Sequence, residues 1–442
     1  MAALALMVPL ASCDLDVIDP DRVSVTTTQD PDFIDVLVAG AVGDFTSAFS
    51  GGESYTTVSA LISDEFFSTG TFTTRTATDR RLQQTPANGN TSDGTYTNLQ
   101  QARRALRLAV ASVADHPDKG TGDPDHALLN GLYGYTYVIL GEGYCSNVPI
   151  SNDEAPDPAD GPPLTSTQLF EASLPIFDAA AGDNMAQIGK GRALMNLGRY
   201  AEAATAVAGV PTSFNYFVGH SENAASNTFF GMQGNGRYSI SHNEGGDLSG
   251  VGFRGATPLD NAGQDPRMPW TEDPQGGFDP AFRLFLSDKY TDFDSPFVLA
   301  SGIEARLIEA EAAYQAGGDW LTPLNTLRAA VGTLLDDKIP DYSDYVPSPT
   351  LAPLVDPGTP AAIEDLIFTE RAMWMWGTGH RLGDLRRLMN NYGLTEVQVY
   401  PSGAYHKGGV HGPDVVFPID FDEANNLLYD EALCVTTSAT FN

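Results

Sequence analysis

Two segments of this sequence carry a spacing of small residues that closely packed helix pairs require. In the first, residues 183–208, a stretch rich in Ala and Gly leads to a turn at Gly198 and Tyr200, and an Ala-rich stretch follows. Small side chains let two helix backbones approach each other, and the tyrosine fills the gap at the turn. Residues 303–329 repeat the arrangement with a turn at Gly317. Both segments therefore predict a helix, a turn and a second helix.

Such units are typical of tetratricopeptide (TPR) repeats, in which helix pairs stack side by side. Helical periodicity predicts about four TPR-like pairs, at residues 32–67, 98–140, 166–208 and 298–330. A solenoid needs about three stacked repeats for stability, so this number is sufficient. We predict a mostly α fold in a single domain over residues 32–442. Irregular packing of the same helices is the alternative.

The region between the last two pairs has a different composition. Residues 210–297 contain runs of Gly, many aromatic residues and few helical periods. An insertion of this length is unusual in a plain solenoid and indicates a loop-rich excursion on one face. Beyond two further helices, at 361–376 and 381–389, residues 390–442 are predicted to form an irregular C-terminal region.

The N-terminus has the pattern of a bacterial lipoprotein signal. Residues 1–11 form an apolar segment too short to span a bilayer, and Ser12 and Cys13 follow. Residues 1–13 are therefore predicted to be a signal segment with a lipobox, in which Cys13 carries the lipid anchor. Polar residues 14–31 are predicted to form a tether. No Lys or Arg precedes Cys13, and a partly buried helix with a chance Cys is the alternative.

The charge of the chain limits its partners. The 442 residues include 24 basic and 57 acidic side chains, which gives a formal charge of −33. Binding to nucleic acid or to anionic lipid requires clustered Lys and Arg, so both are disfavoured. The sequence predicts no nucleic-acid partner.

Two cysteines remain when Cys13 is assigned to lipid. An exported protein meets oxidising conditions, so a disulfide between Cys145 and Cys434 is allowed. Two unpaired thiols are the alternative, since the sequence does not show their separation. The cysteine spacings suit no zinc site.

Motifs along nearly the whole chain resemble those of the SusD/RagB family. Residues 63–66, Ser-Asp-Glu-Phe, close the second helix, and Lys289-Tyr290 precedes a helix with an Ala-Glu-Ala pattern. The most specific match is residues 370–387, with Glu-Arg, an apolar helix and Asp-Leu-Arg-Arg. Thr378 stands where the family usually has Glu.

The resemblance implies both a fold and a function. Members of the family are surface lipoproteins that bind glycans or other nutrients beside a TonB-dependent outer-membrane transporter. We therefore expect a SusD-like fold, a lipid-anchored position on the cell surface at the outer membrane, a SusC-like transporter as partner and an oligosaccharide ligand. A TPR-type interaction scaffold without its own glycan site and a peptide-binding receptor are the alternatives.

The charge also bears on the ligand. A surface of −33 opposes polyanions, so a neutral oligosaccharide is favoured over a uronate polymer. A local arginine cluster would change this preference. Its candidate members are Arg75, Arg80, Arg81, Arg103 and Arg104.

Sugar binding needs flat apolar faces and planar hydrogen-bonding groups, which gather on loops. Trp270 is the one tryptophan in the insertion and follows an Asp-Pro-Arg turn motif, so we expect it at the surface. Trp320, Trp374 and Trp376 are expected in the core. The resemblance adds the segment after the second helix to the ligand face. The candidate ligand-binding residues are Trp270, Tyr238, Asp64, Arg75, Asn90 and Tyr96.

No catalytic residue is predicted. With 57 acidic residues, chance carboxylate pairs are certain, so such a pair is no evidence for a glycosidase. The charged residues of 370–387 are expected to form a structural buttress of arginine–carboxylate pairs, with His380 as a scaffold histidine. No cofactor is expected. The acidic loop 153–161 is more typical of a solvated loop than of a structural calcium site.

Overall fold

Helices dominate the computed structural model, which describes residues 33–52, 54–83, 92–151, 161–242, 252–254, 265–336, 339 and 349–441. Cys13, Asn90, the tether and residues 153–160 of the acidic loop lie outside the described residues. The helices before the insertion are α1 (Ile34–Phe49), α2 (Tyr55–Ile62), α3 (Thr73–Asp79), α4 (Ser92–Asp115), α5 (Pro124–Gly143), α6 (Ser166–Ala179), α7 (Asn184–Asn196) and α8 (Tyr200–Val207).

The described part of the insertion contains one short helix, and the C-terminal half returns to helices. They are α9 (Thr228–Gly234), α10 (Gly302–Gln315), α11 (Leu321–Ala329), α12 (Val331–Asp336), α13 (Pro360–Trp374), α14 (Arg381–Tyr392) and α15 (Glu396–Val399). None of the helices in the described part of the chain combines the length and the apolar character needed to cross a bilayer. The predicted mostly α fold is confirmed.

Short antiparallel strand pairs fasten the insertion to the helices. β1 (Phe66–Ser68) follows α2 and pairs with β3 (Tyr238–Ile240). β2 (Asn215–Val218) pairs with β6 (Phe297–Ser301), which bounds the insertion just before α10. Within the insertion, β4 (Trp270–Asp273) pairs with β5 (Leu284–Ser287). The loop-rich expectation for this region therefore missed these strands.

Side-chain caps set where several helices begin. The Asp123 carboxylate accepts the backbone N–H of Asp125 at 2.8 Å, with Pro124 at the first position of α5. Thr165 and Gln168 form a capping box at the start of α6. Each device satisfies N–H groups that have no partner within the helix.

Glycines let α5, α6 and α7 pack closely around one aromatic ring. A Cβ on Gly134 of α5 would lie 2.6 Å from the ring of Phe177 in α6, and a Cβ on Gly189 of α7 would lie 2.5 Å from it. Carbon atoms do not approach so closely, so any side chain here would push the helices apart. The small residues of the TPR-like pattern are thus required by packing.

Arg386 of α14 holds the C-terminal end of α5. Its buried guanidinium donates to the carbonyl oxygens of Gly141 at 2.6 Å, Glu142 at 2.9 Å and Tyr144 at 3.1 Å. The last carbonyls of a helix have no partner within it and carry partial negative charge. One side chain therefore satisfies three such groups across more than 240 residues of sequence.

Buried ion pairs surround Arg386 within residues 370–387, where the sequence predicts a structural buttress of arginine–carboxylate pairs. Arg371 and Arg387 both donate to the Asp384 carboxylate, at 2.8 and 2.9 Å. Burial alone would raise the pKa of Asp384, but these two guanidinium groups hold it well below its usual range. Arg267 of the insertion donates to Glu370 at 2.8 Å. The structural interpretation of this motif is confirmed.

His380 is also part of the scaffold. It is buried, its Nδ1 lies 2.8 Å from the Thr378 hydroxyl, and its Nε2 lies 3.1 Å from the Glu304 carboxylate. Burial lowers the pKa of His380, the charge of Arg192 lowers it further, and Glu304 partly opposes both.

A disulfide joins Cys145, just after α5, to Cys434 near the C-terminus, with the two Cα atoms 5.1 Å apart. Of the two alternatives left open by the sequence, the bridge is the correct one. It fixes the irregular C-terminal region to the same helix end that Arg386 holds.

Replacing the Arg386 side chain should be strongly destabilising. Arg386→Met leaves three carbonyl oxygens without donors in a buried position, so we expect a loss of about 3 kcal/mol or more in the free energy of unfolding. The exposed pair of Arg199 with Glu202 offers a control, and Arg199→Met should cost less than about 1 kcal/mol. Urea unfolding followed by circular dichroism measures both. Equal stabilities would contradict this role for Arg386.

Candidate ligand-binding face

The chain changes direction sharply after α2, and this turn sets up the candidate site. Asp64 adopts a left-handed conformation with φ of 60°, and its carboxylate accepts the Ser241 hydroxyl at 2.6 Å. The next residue, Glu65, is buried and accepts the backbone N–H of Gly377 at 2.8 Å. Burial raises the pKa of Glu65 to about 7. The turn directs the chain into β1 and then α3.

Backbone hydrogen bonds bring three distant segments together beside β1. Thr69 accepts a backbone N–H from Asp279 at 3.1 Å and donates its own to Arg237 at 2.9 Å. The N–H of Phe278 donates to the carbonyl of Gly236 at 2.6 Å. Residues that are far apart in sequence therefore share one surface.

We name the exposed part of this surface the aromatic–arginine platform, which consists of Phe72, Arg75, Arg237 and Phe278. Phe72 is 50% exposed and Phe278 is 49% exposed. The guanidinium carbon of Arg237 lies over both rings, 4.7 Å from the Phe72 centroid and 4.2 Å from the Phe278 centroid. That of Arg75 lies 4.8 Å from the Phe72 centroid. Cation–π attraction orders these groups without burying the rings.

A loop from the C-terminal region contacts β1 and α3 and fixes the backbone that carries the platform. The Lys407 ammonium donates to the carbonyl of Gly70 at 2.6 Å and to the Ser68 hydroxyl at 3.2 Å. The buried Asp79 carboxylate accepts the backbone N–H of Ser68 at 2.9 Å and the Tyr405 hydroxyl at 2.7 Å. Burial raises the pKa of Asp79 to about 7, although both hydrogen bonds and Lys407 lower it.

The position of Trp270 corrects the sequence prediction. Trp270 is only 4% exposed, its indole N–H donates to the carbonyl of Arg254 at 3.2 Å, and its ring packs edge-to-face on Phe285. It begins β4, and the pairing with β5 turns the indole into the core. The expectation of a surface turn was wrong. Tyr238 is likewise buried, in β3. Trp320, Trp374 and Trp376 are buried, as predicted.

The other candidates are divided between places. Arg75 belongs to the platform, whereas Asp64 is largely buried in the turn beneath it. Tyr96 is buried in α4, and its hydroxyl donates to Glu423 at 3.0 Å. It borders a separate polar cavity of about 470 Å³ between α4 and residues 420–426.

The arginine cluster considered from sequence does not form as one group. Arg81 is buried, donates to the carbonyl of Asp414 at 3.0 Å and pairs with Glu396. Arg103 is buried in α4 and donates to Gln100 at 2.9 Å. Arg104 lines the polar cavity. Arg75 lies in α3 and shares the Phe72 ring with Arg237, whereas Arg80 follows α3 and donates to the carbonyl of Val410 at 2.8 Å.

Sequence reasoning missed Phe72, Phe278 and Arg237. A signal was present, because each phenylalanine stands in a stretch of Gly, Thr or polar residues with no apolar periodicity around it. An isolated ring of this kind has no core face to join. Arg237 gave no such signal, since only the β1–β3 pairing brings it to the platform.

Within the described ranges, no group of three or more His, Cys, Asp or Glu side chains is placed to hold a metal ion. The platform itself presents aromatic rings and cationic hydrogen-bond donors. Such groups bind flat molecules that present apolar faces and oxygen acceptors.

The comparisons with solved structures decide the fold. A SusD/RagB family protein from Bacteroides thetaiotaomicron superposes with a TM-score of 0.60 at 14% identity, covering 90% of this chain and 95% of that chain. NanU from B. fragilis superposes with a TM-score of 0.57 at 14% identity, covering 92% and 98%. A SusD-like carbohydrate binding protein from Bacteroides vulgatus gives 0.54 at 16% identity, covering 85% of each.

This chain has a SusD-like fold. The resemblance drawn from the motifs is thereby confirmed at the level of structure. No family model and no curated protein sequence matches the chain.

Asp79 should make the stability of this SusD-like chain depend on pH. Its pKa is about 7 when folded and near 3.8 when unfolded, so between these values the folded form holds a proton that the unfolded chain has released. Stability should therefore fall as pH rises from about 4 to 7. Asp79→Asn should reduce this loss of unfolding free energy by about 1 kcal/mol or more. The dependence that remains is expected from Glu65, whose pKa is also raised by burial.

Urea unfolding at pH 4.5, 6 and 7.5 measures this difference. Asp178→Asn removes an exposed carboxylate and serves as the control, which should keep the wild-type dependence. A wild-type dependence in Asp79→Asn would show that Asp79 titrates normally.

Proposed function

We propose that this chain is an outer-membrane surface lipoprotein that binds an oligosaccharide and delivers it to a TonB-dependent transporter. The observation that carries the proposal is the pair of exposed rings, Phe72 and Phe278, held together by Arg237 on a SusD-like fold. A solved structure with this fold is named as a SusD-like carbohydrate binding protein, which supports the ligand class.

The platform suits a sugar for two physical reasons. The C–H face of a pyranose is flat and apolar, so it covers an exposed aromatic ring and removes it from water. The guanidinium groups of Arg75 and Arg237 supply donors for ring and hydroxyl oxygens. The platform is built on loops that strand pairing fixes to the core, so little order has to be gained on binding.

We propose binding without catalysis. Asp79, a carboxyl with a raised pKa beneath the platform, is buried and already accepts two hydrogen bonds. It is therefore not available to protonate a ligand. The raised pKa of Asp79 follows from its burial as part of the support, and no catalytic role is needed to explain it.

The transporter is proposed to contact the helical side of the molecule. A groove of about 570 Å³ lies between α8 and α10, and its lining combines alanines, such as Ala204 and Ala312, with charged residues, such as Arg199 and Glu309. Small residues leave room for side chains of a partner. This groove also supports the second candidate function, an interaction scaffold without its own glycan site.

Removing the rings should strongly weaken glycan binding while leaving the fold intact. Both rings are half exposed, so Phe72→Ala with Phe278→Ala should reduce affinity at least about tenfold with little change in stability. A glycan array on protein lacking residues 1–13 identifies the ligand, and calorimetry measures its affinity. Phe293→Ala, at a 36% exposed ring that packs on Phe230, is the matched control.

Loss of binding in the double variant alone supports a glycan receptor. An array that is silent for wild-type protein, combined with co-purification of the transporter, would instead favour the scaffold. Binding of peptides that is indifferent to the two rings would favour the peptide receptor.

The lipid anchor is proposed at Cys13. Expressed with its signal segment in a bacterium that processes lipoproteins, the protein should enter the detergent phase on Triton X-114 partitioning. Cys13→Ala should stay in the aqueous phase because it lacks the acyl chains. Aqueous behaviour of both forms would remove the lipoprotein assignment.

A further inference from the structure

Arg237 is an arginine without an anionic partner. Within the described part of the chain, its guanidinium makes no ion pair and no hydrogen bond, and its Nη1 atom is buried without an acceptor. The rings of Phe72 and Phe278 hold its position, but they do not accept its N–H groups as an oxygen would. A buried donor without an acceptor is unfavourable unless another molecule supplies one.

Other arginines of the chain show what is usual in this molecule. Arg283, just before β5, pairs with Glu272 of β4 at 2.6 Å. Arg267 and Arg371 pair with buried carboxylates. With 57 acidic and 24 basic residues, carboxylates are in large excess, so an unpaired arginine is not explained by a shortage of partners.

The surroundings of Arg237 are also cationic. Arg75 lies over the same ring, and the Lys407 ammonium donates to the neutral oxygens of Gly70, Ser68 and Thr76. The carboxylates of Asp79 and Asp279 both interact with Lys407, and that of Asp279 also accepts the backbone N–H of Ala281 at 3.0 Å. Arg237, Arg75 and Lys407 thus bring three cationic groups to one part of a strongly acidic protein.

We propose that the sugar bound at the platform carries an anionic group, a carboxylate or a sulfate ester, and that Arg237 binds this group. The inference rests on the proposed function and adds the chemical class of the ligand. The planar fork of a guanidinium matches two oxygens of a carboxylate or sulfate. An anionic ligand is the opposite of the neutral oligosaccharide that the net charge favours.

Matched pairs of oligosaccharides that differ only in charge test the proposal. The first pair is an oligogalacturonide as the free acid and as its methyl ester. The second is a carrageenan oligosaccharide before and after desulfation. Calorimetry on the protein without residues 1–13 should show at least about tenfold tighter binding of one acidic form than of its neutral partner. Raising the salt from 50 to 500 mM should weaken that binding.

Variants separate Arg237 from the overall charge. Arg237→Gln should remove the preference for the acidic form, and Arg237→Lys should retain part of it. Arg283→Gln removes the same charge from the ion pair with Glu272, so the preference should remain. Circular dichroism and thermal melts confirm that each variant is folded.

Each result bears on the inference. Equal binding of the acidic and neutral forms, sensitive to Phe72→Ala, would overturn the inference and leave the proposed function standing. A preference unchanged in Arg237→Gln would overturn the assignment to this residue. Failure of both acids to bind would overturn the inference as well. If the proposed function itself is wrong, the whole glycan array is silent, which distinguishes this outcome from those above.

Discussion

The contact of Arg386 with the end of α5 is the interaction on which the remaining architecture depends. Burial lowers the pKa of Arg386 to about 10, so the surrounding carbonyl dipoles and tyrosines must compensate a desolvated charge. The aligned carbonyls of a helix C-terminus do this well, because they present partial negative charge at one point. The same helix end receives the disulfide from Cys434. α14, α5 and the C-terminal region are therefore fixed at one place.

This arrangement separates the part of the molecule that must be rigid from the part that can vary. The TPR-like helices and the buttress pack through glycines and buried ion pairs, which tolerate little change. The platform is carried by loops on β1, β3 and the segment before β5, each attached through a few backbone hydrogen bonds. Substitutions there change the ligand surface with little effect on the core, which is the usual division between scaffold and recognition loops.

The limits of sequence reasoning follow from the same division. Close helix packing requires small residues at fixed spacing, so Gly189 and its neighbours predicted α7 correctly. The pattern at 370–387 predicted arginine–carboxylate pairs, such as Arg371 with Asp384, but not which residues form them. Composition also marked the insertion as different, but it did not show which face each ring occupies. Trp270 was therefore placed at the surface, whereas Arg237 and Phe72 meet only through pairing between segments 165 residues apart.

The net charge of the chain and the charge at the platform differ for a related reason. A charge of −33 acts through a screened field, and at physiological ionic strength the screening length is about 8 Å. A ligand anion within contact distance of Arg237 therefore responds mainly to the nearest groups, which are Arg75, Lys407 and the two rings. The acidic exterior opposes the approach of polyanions in general, whereas the groups of the platform act on a molecule only at contact distance. The charge that matters for recognition is the local charge, and it is visible only after the chain has folded.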